Sequence, residues 1–323
     1  MPSPSLLDTF RALVSLEPRR QSLAGAPWEA FVDWAIAQGL APLVAYNLEY
    51  RLTGGGAPEW ARDRLLSVYQ GSVNDNVMKL VLLKRALGEL EGRKLVVTGA
   101  ASFAEALYPH IAFRPVPEIE LHLREADLEG LTGFLKGHHL KPIPIEDSPD
   151  ATRVLSDGHS ALVLTAHAPG AAWEAALERA LPMRVYGPSV YRLDLEDAVL
   201  WACLDQARRG YEVPAITWVD LRELITGAPS MGGPYSRPCD PERVKARARE
   251  WRIERALYAS ASVVGRLFPE ARGAVEQILP PLRPATRALL DRWVVDPVSE
   301  LGKRRVLRGI GRLRRLLAAG TPR

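Results

Sequence analysis

A strict alternation of polar and apolar residues from Glu118 to Arg124 limits the folds open to this chain more than any other feature. The segment reads Glu-Ile-Glu-Leu-His-Leu-Arg, so that every second side chain is apolar. Because successive side chains of a strand point to opposite faces, this period predicts a β-strand with one apolar and one polar face. The fold must therefore contain a sheet.

Weaker signals on both sides of this strand predict the rest of a mixed α/β core. Lys94 to Val97 reads as a short strand, Thr98-Gly99 as a turn and Ala100 to Tyr108 as a helix that ends at a proline. The elements predicted after the alternating strand are a helix over 125–135, a strand over 160–167 and two short strands within 183–193.

The two ends of the chain read as helical. Apolar residues recur at helical intervals over residues 5–90, and helical patterns resume after Asp194. We therefore expect an α+β fold in which helices from both ends flank a mixed sheet. The predicted regions are an N-terminal helical region (1–92), an α/β core (93–192), a C-terminal helical region (193–300) and a basic tail (301–323).

Composition excludes several classes of protein. With 47% hydrophobic and 25% charged residues among 323, the chain has the composition of a globular protein. The only cysteines, Cys203 and Cys239, are too far apart in sequence for a zinc-finger spacing. No uncharged apolar run approaches the roughly 20 residues of a membrane span, and Asp8 and Arg11 interrupt any signal-like segment. We therefore expect a cytoplasmic protein that is not transmembrane.

The net charge of +4 comes from the basic tail. Eight Lys or Arg and no acidic residue lie between Lys303 and Arg323, so residues 1–300 carry 34 basic and 38 acidic residues. Val306, Ile310, Leu313 and Leu317 share one helical face of the tail. This pattern is typical either of a helix that binds anionic lipid, nucleic acid or an acidic partner, or of a terminal helix that packs on the body.

The polar face of the alternating strand carries the residues most suited to chemistry, namely Glu118, Glu120, His122 and Arg124. Its two carboxylates lie about 7 Å apart along a strand, close enough to hold a divalent cation between them. A solvated face at a sheet edge is the alternative interpretation. His122 and His167 on adjacent strands could extend the pair to a Glu/His metal site, although a packing role for His167 is simpler.

The order of these motifs resembles that of the polymerase-beta-like nucleotidyltransferases, and in particular a family of uncharacterised bacterial nucleotidyltransferases. The resemblance rests on a lead-in at 39–43, the turn at 98–100, the strand and its Arg-Pro lead at 114–121, a strand end at 165–167 and helical segments at 195–198 and 218–221. It implies a nucleotide donor, phosphate contacts at the turn and a metal on the acidic strand.

Carried over residue by residue, the resemblance assigns the following roles. Glu118, Glu120 and Thr165 fall at catalytic positions, and the two glutamates also at the metal positions. The nucleotide-binding positions are Thr98, Gly99, Ala100 and Arg114. The family has aspartates where this chain has Glu118 and Glu120, a third acidic residue at Thr165 and a lysine at Thr98.

Two hypotheses about function follow from these changes. The first is a nucleotidyltransferase-like protein with impaired catalysis that acts as a nucleotide-binding or protein-interaction module, because a cation and a carboxylate are lost together. The second is an active enzyme that uses Mg²⁺ or Mn²⁺ to move a nucleotidyl group to an unknown acceptor. An inactive protein needs no cofactor.

We expect the seven basic residues from Lys303 to Arg315 to remain at least partly available to an acidic partner, nucleic acid or a membrane surface. Each can contribute about 1 kcal/mol near an anionic membrane, in a salt-sensitive way. Truncation after Glu300 should then abolish sedimentation with anionic vesicles, or binding to nucleic acid, without lowering the melting temperature. A lower melting temperature with unchanged vesicle binding would show that the tail packs instead, and binding by neither protein would refute recruitment.

Overall fold

The structure is a computed structural model that describes residues 5–18, 23–52, 56–144, 152–167, 170–228 and 233–293. Its contacts divide the chain into two compact units, Met1–Gln70 with Leu195–Arg323, and Gly71–Asp194. The predicted basic tail, 301–323, lies outside the described residues. The finer division into four regions stays a prediction.

The first unit is helical in its described part. Its helices are α1 (Leu6–Leu13), α2 (Trp28–Ala37), α3 (Ala41–Tyr46), the first part of α4 (Glu59–Leu87), α8 (Leu195–Arg208), α9 (Ile216–Thr226), α10 (Pro241–Glu250), α11 (Glu254–Leu267), α12 (Arg272–Ile278) and α13 (Pro284–Trp293). Capping residues define where two of these helices begin. Ser5 and Asp8 form a reciprocal capping box at α1, and the Asp240 side chain accepts two backbone N–H bonds at α10.

Both cysteines are buried in this unit. Burial raises the pKa of Cys203 to about 12, and burial likewise raises the pKa of Cys239 to about 12. Because the thiolate is the reactive form of cysteine, neither side chain is suited to act as a nucleophile near neutral pH.

The second unit contains a seven-stranded mixed sheet, in the order β3-β4-β5-β2-β1-β7-β6. The strands are β1 (Leu95–Thr98), β2 (Ile119–Arg124), β3 (Lys141–Ile143), β4 (Thr152–Ser156), β5 (Ala161–His167), β6 (Leu181–Pro182) and β7 (Val190–Arg192). The helices of this unit are the end of α4, α5 (Gly99–Ala106), α6 (Leu128–Gly137) and α7 (Ala171–Arg179). Strand β2 runs antiparallel to β1 and parallel to β5.

The apolar residues of the alternating strand form the centre of the core of this unit. Ile119, Leu121 and Leu123 are fully buried in one cluster with residues of β5, α4, α5 and α6. Leu80, Leu83 and Leu87 of α4, and Leu90 just after the helix, lie in the same cluster. The predicted α+β fold, a mixed sheet with flanking helices, is confirmed.

The ends of the sheet differ from the prediction. The sequence does not predict strands β3 and β4. Strand β3 gives only a weak signal, because it is three residues long and contains a proline. The segment predicted as two strands within 183–193 contains a 3₁₀ turn at Arg184–Tyr186 and one strand, β7, while its partner β6 precedes it. Among the described residues, no helix combines the length and hydropathy needed to cross a membrane.

A buried asparagine on α4 holds the segment that leads into β2. The Asn76 Nδ2 group donates to the carbonyl oxygens of Ile111 (2.5 Å) and Arg114 (2.8 Å), and its Oδ1 accepts from the Val116 N–H (3.0 Å). Asn76 is only 1% exposed. Since buried backbone groups must be paired, one side chain satisfies three groups that no sheet or helix ladder serves.

Two further polar residues on the same helix support this contact. The Ser72 hydroxyl donates to the Ala112 carbonyl (2.9 Å), and the Lys79 ammonium donates to the Val116 carbonyl (2.5 Å). With Asn76 they lie at intervals of four and three residues, which is one face of a helix. This polar stripe fixes where the chain enters β2.

Replacing Asn76 with Ala should therefore destabilise the protein strongly. The substitution leaves two carbonyl groups and one N–H group unpaired in a buried segment, at a cost of about 3 kcal/mol. The measurement is the midpoint and slope of urea unfolding. Asn74→Ala, at an exposed position of the same helix, is the matched control and should change the free energy of unfolding by less than about 0.5 kcal/mol. Equal effects of the two substitutions would contradict this role.

Candidate functional site

The carboxylate of Glu120 lies at the turn between β1 and α5. The antiparallel register pairs Thr98 with Glu120, and the Thr98 hydroxyl donates to Glu120 Oε2 (3.3 Å). Helix α5 begins at Gly99, whose φ is +59°. A Cβ atom on Gly99 would lie 3.3 Å from the same Oε2 atom. Glycine therefore serves both the backbone conformation and the close approach of the carboxylate.

Glu118 precedes β2 by one residue and is half-buried, whereas the sequence predicts it within the strand. Glu120 therefore lies in the strand, whereas Glu118 lies in the segment before it. The spacing of about 7 Å expected between the two carboxylates stays a prediction. Their roles as metal ligands stay predictions.

Strand β5 places unexpected neighbours beside the acidic strand. The parallel register pairs Glu120 with Val163, and His122 with Thr165. Thr165, which the resemblance assigns to the third acidic position, thus lies beside His122 and not directly beside Glu120. Among the described residues no group of three or more His, Cys, Asp or Glu side chains is placed to hold a metal ion.

The polar face of β2 is covered by helix α7 beyond Glu120. His122 Nδ1 and His167 Nε2 lie 2.8 Å apart in an imidazole–imidazole hydrogen bond. The Trp173 ring stacks on His167 with centroids 4.2 Å apart and meets His122 edge-on at 5.8 Å. Trp173 is 8% exposed and His122 is 4% exposed. This end of the polar face is therefore filled by protein.

An ion pair also links helix α7 to the end of strand β2. Arg124 donates from Nε and Nη2 to both carboxylate oxygens of Glu174, at 2.8–3.2 Å. This hydrogen bonding lowers the pKa of Glu174 and raises the pKa of Arg124. Because the geometry is bidentate, the pair orients α7 as well as attracting it.

Two of the predicted nucleotide-binding residues have other contacts. Arg114 is buried, and its Nη1 donates to the neighbouring Pro115 carbonyl (2.8 Å). The Ala100 side chain packs against the apolar core. The structure thus brings Thr98, Gly99 and Glu120 together at one turn.

The sequence does not predict the residues that position and cover this site. The polar stripe on α4 shows a helical spacing of polar residues that could have been read from Ser72, Asn76 and Lys79. Trp173 gives no such signal, since a tryptophan in a helix of mixed composition is typical of ordinary packing.

Comparisons with known proteins agree with this geometry at the level of the family. The model of the uncharacterised nucleotidyltransferase family matches residues 24–269, which is most of the chain and includes every residue of the turn, β2 and β5. No curated protein and no solved structure matches the chain. By its order of elements and the extent of this match, the chain belongs to the uncharacterised nucleotidyltransferase family.

Proposed function

We propose that this chain is a nucleotidyltransferase-like protein with impaired catalysis that binds a nucleotide at the Thr98-Gly99 turn. The observation that carries the proposal is the surroundings of Glu120, which lies between Thr98 on β1 and Val163 on β5. Phosphoryl transfer with metal ions usually needs several carboxylates around the reacting phosphate. Here neither β1 nor β5 supplies a second carboxylate directly beside Glu120.

The cover over the polar face supports the same proposal. In an active transferase the acceptor must approach the phosphate from one side, with the reacting atoms roughly in line. The stacked pair of Trp173 and His167, together with the Arg124–Glu174 ion pair, covers the part of the face beyond Glu120. An acceptor would have to displace α7 to use that side.

The donor set offers a divalent metal only an incomplete site. Glu118 and Glu120 provide the oxygen ligands that Mg²⁺ and Mn²⁺ prefer, and Mg²⁺ is often held by one or two carboxylates together with substrate phosphates. With no group of three metal-binding side chains among the described residues, such an ion would depend on the nucleotide for further ligands. If bound, it would neutralise phosphate charge.

Replacing Gly99 with Ala should weaken nucleotide binding. The new Cβ would meet Glu120 Oε2 at 3.3 Å, and a φ of +59° costs a non-glycine residue about 1–2 kcal/mol. We expect calorimetry with a nucleoside triphosphate and Mn²⁺ to give affinity about tenfold lower than for the unmodified protein. Gly133→Ala is the matched control, because that glycine lies on α6 with no atom within 4 Å of an added Cβ. Equal affinities for both variants would place the nucleotide elsewhere.

An active enzyme is the second candidate, and the position of Glu120 favours it. A carboxylate still lies at the turn where phosphate would arrive. If the protein transfers labelled nucleotide to any acceptor, Glu120→Gln should abolish the product while the melting temperature stays the same. Undiminished turnover in that variant would exclude the carboxylate from the mechanism. Failure to detect product with the unmodified protein, despite nucleotide binding, would favour impaired catalysis.

A cytoplasmic location and a partner for the tail belong to the same proposal. The eight basic residues from Lys303 onward would let an acidic protein, nucleic acid or a membrane surface recruit the nucleotide-binding unit. A protein-interaction role of the tail is compatible with nucleotide binding at the Thr98-Gly99 turn, because the two functions would use different segments of the chain.

A further inference from the structure

Helix α4 keeps one face open to solvent along its whole length. The helix runs over Glu59–Leu87, and the residues of this face recur at intervals of three and four, which is the spacing of one side of a helix. All of these residues are exposed. They form the exposed face of α4 and comprise Trp60, Asp63, Ser67, Gly71, Asn74, Met78, Val81 and Arg85.

Large apolar side chains are concentrated on this face and its flank. Met78 is 60% exposed, Trp60 44% and Val81 43%, and Val77 on the flank is 41% exposed. They are four of the eight large apolar side chains that are exposed in the described part of the chain. Because covering such surface removes it from water, their concentration on a single helix indicates a contact surface for a partner.

The charges on this face and on the flank that carries Val77 are divided between the two ends of the helix. Glu59 and Asp63 lie in its first turns, and Lys84 and Arg85 lie in its last turn. All four are exposed, and within the described residues none of them forms an ion pair. The face is thus acidic at one end and basic at the other, with the apolar side chains of Met78 and Val81 between the two ends.

We propose that α4 is the interface of a homodimer, in which the exposed faces of two copies pack antiparallel about a twofold axis. Antiparallel packing places the acidic end of each helix against the basic end of the other, so that every favourable pair forms twice. Parallel packing would place like charges against each other at both ends, which is unfavourable. The charge distribution of one helix is therefore complementary to that of a second copy of the same chain.

Gly71 lies where two such helices would cross. Trp60 and Arg85 are about 38 Å apart along the helix at 1.5 Å per residue, and the midpoint between them falls between residues 72 and 73. A Cβ atom added to Gly71 would meet no atom within 4 Å, so contacts within the described chain do not account for a glycine there. Glycine is unfavourable inside a helix, but its small size lets two helix backbones approach closely. The proposed crossing accounts for its position.

The same arrangement brings together side chains of suitable chemistry. Residues at equal distances from the midpoint face each other in an antiparallel pair. Trp60 then faces Arg85 of the second copy, which is a cation–π arrangement, and Ser67 leaves room for the larger Met78 of the second copy. No residue of this face belongs to the Thr98-Gly99 turn, so the inference is independent of nucleotide binding.

Charge reversal in the full chain, followed by sedimentation velocity over a range of concentrations, tests the proposal. The unmodified protein should dimerise, more weakly at high salt. A variant with Lys84→Glu and Arg85→Glu, and another with Glu59→Lys and Asp63→Lys, should each dimerise at least tenfold more weakly. An equal mixture of the two variants should dimerise again, because each then offers the charges that the other needs.

The matched control carries Lys136→Glu and Lys141→Glu, an equal change of net charge at exposed positions outside α4. It should dimerise like the unmodified protein. Gly71→Leu tests the crossing separately. Since leucine favours a helix and the site is open, this variant should keep its helical circular dichroism, yet its dimer should dissociate at least tenfold more readily.

Three results would overturn the proposal. One is an unmodified protein that remains monomeric up to about 100 µM, since a physiological dimer should form by then. Another is a dimer that neither charge reversal weakens, which would place the interface on a different surface. The third is a mixture of the two variants that stays monomeric while each variant keeps the circular dichroism of the unmodified protein.

Discussion

The register of β2 between its two neighbours decides what chemistry the polar face can support. On one side Thr98 pairs with Glu120, and on the other side Val163 does. A change of register by one residue would turn the glutamate into the core and Leu121 toward the turn. Because Ile119, Leu121 and Leu123 are fully buried, such a change is costly, and the apolar face of the strand therefore holds the carboxylate at the turn.

Helix α4 holds the segment that leads into β2. The segment over 111–116 has little regular structure, so its buried carbonyl and N–H groups need partners from elsewhere. Asn76 supplies three of these hydrogen bonds from a helix whose apolar residues pack in the core of the same unit. The polar and apolar positions of α4 thus act together, one set fixing the core and the other fixing the start of β2.

The elements that the sequence predicts best are those whose pattern and burial agree. The alternation of β2 and the Thr98-Gly99 turn are local features, and the structure has both. Strand β3 is short, exposed and interrupted by Pro142, so pairing with β4 defines it more than its own residues do. The pairing of Thr165 with His122 could not be predicted, because the register of two strand residues 43 positions apart depends on how both strands pack.

The same limit applies to the proximity of the two cysteines. They are 36 positions apart in sequence, yet Cys239 is among the charges that raise the pKa of Cys203, after burial and against the hydrogen bond from Ser260. Spacing in sequence excludes a local metal motif but carries no information about such contacts. Burial of both side chains is what makes their thiols unreactive, and Cys203 lies on helix α8, which packs against α10 and α11.

The exchange of aspartate for glutamate on the acidic strand acquires a different meaning in the structure. From sequence alone it reads as damage to a metal site, because the carboxylate of Glu extends about 1.5 Å further from the backbone than that of Asp. In the structure, Oε2 of Glu120 accepts from the Thr98 hydroxyl at 3.3 Å and lies 3.3 Å from the place that a Cβ atom on residue 99 would take. Glu120 therefore has a structural contact at the turn besides any role as a ligand, so the length of its side chain bears on the turn as well as on a metal site.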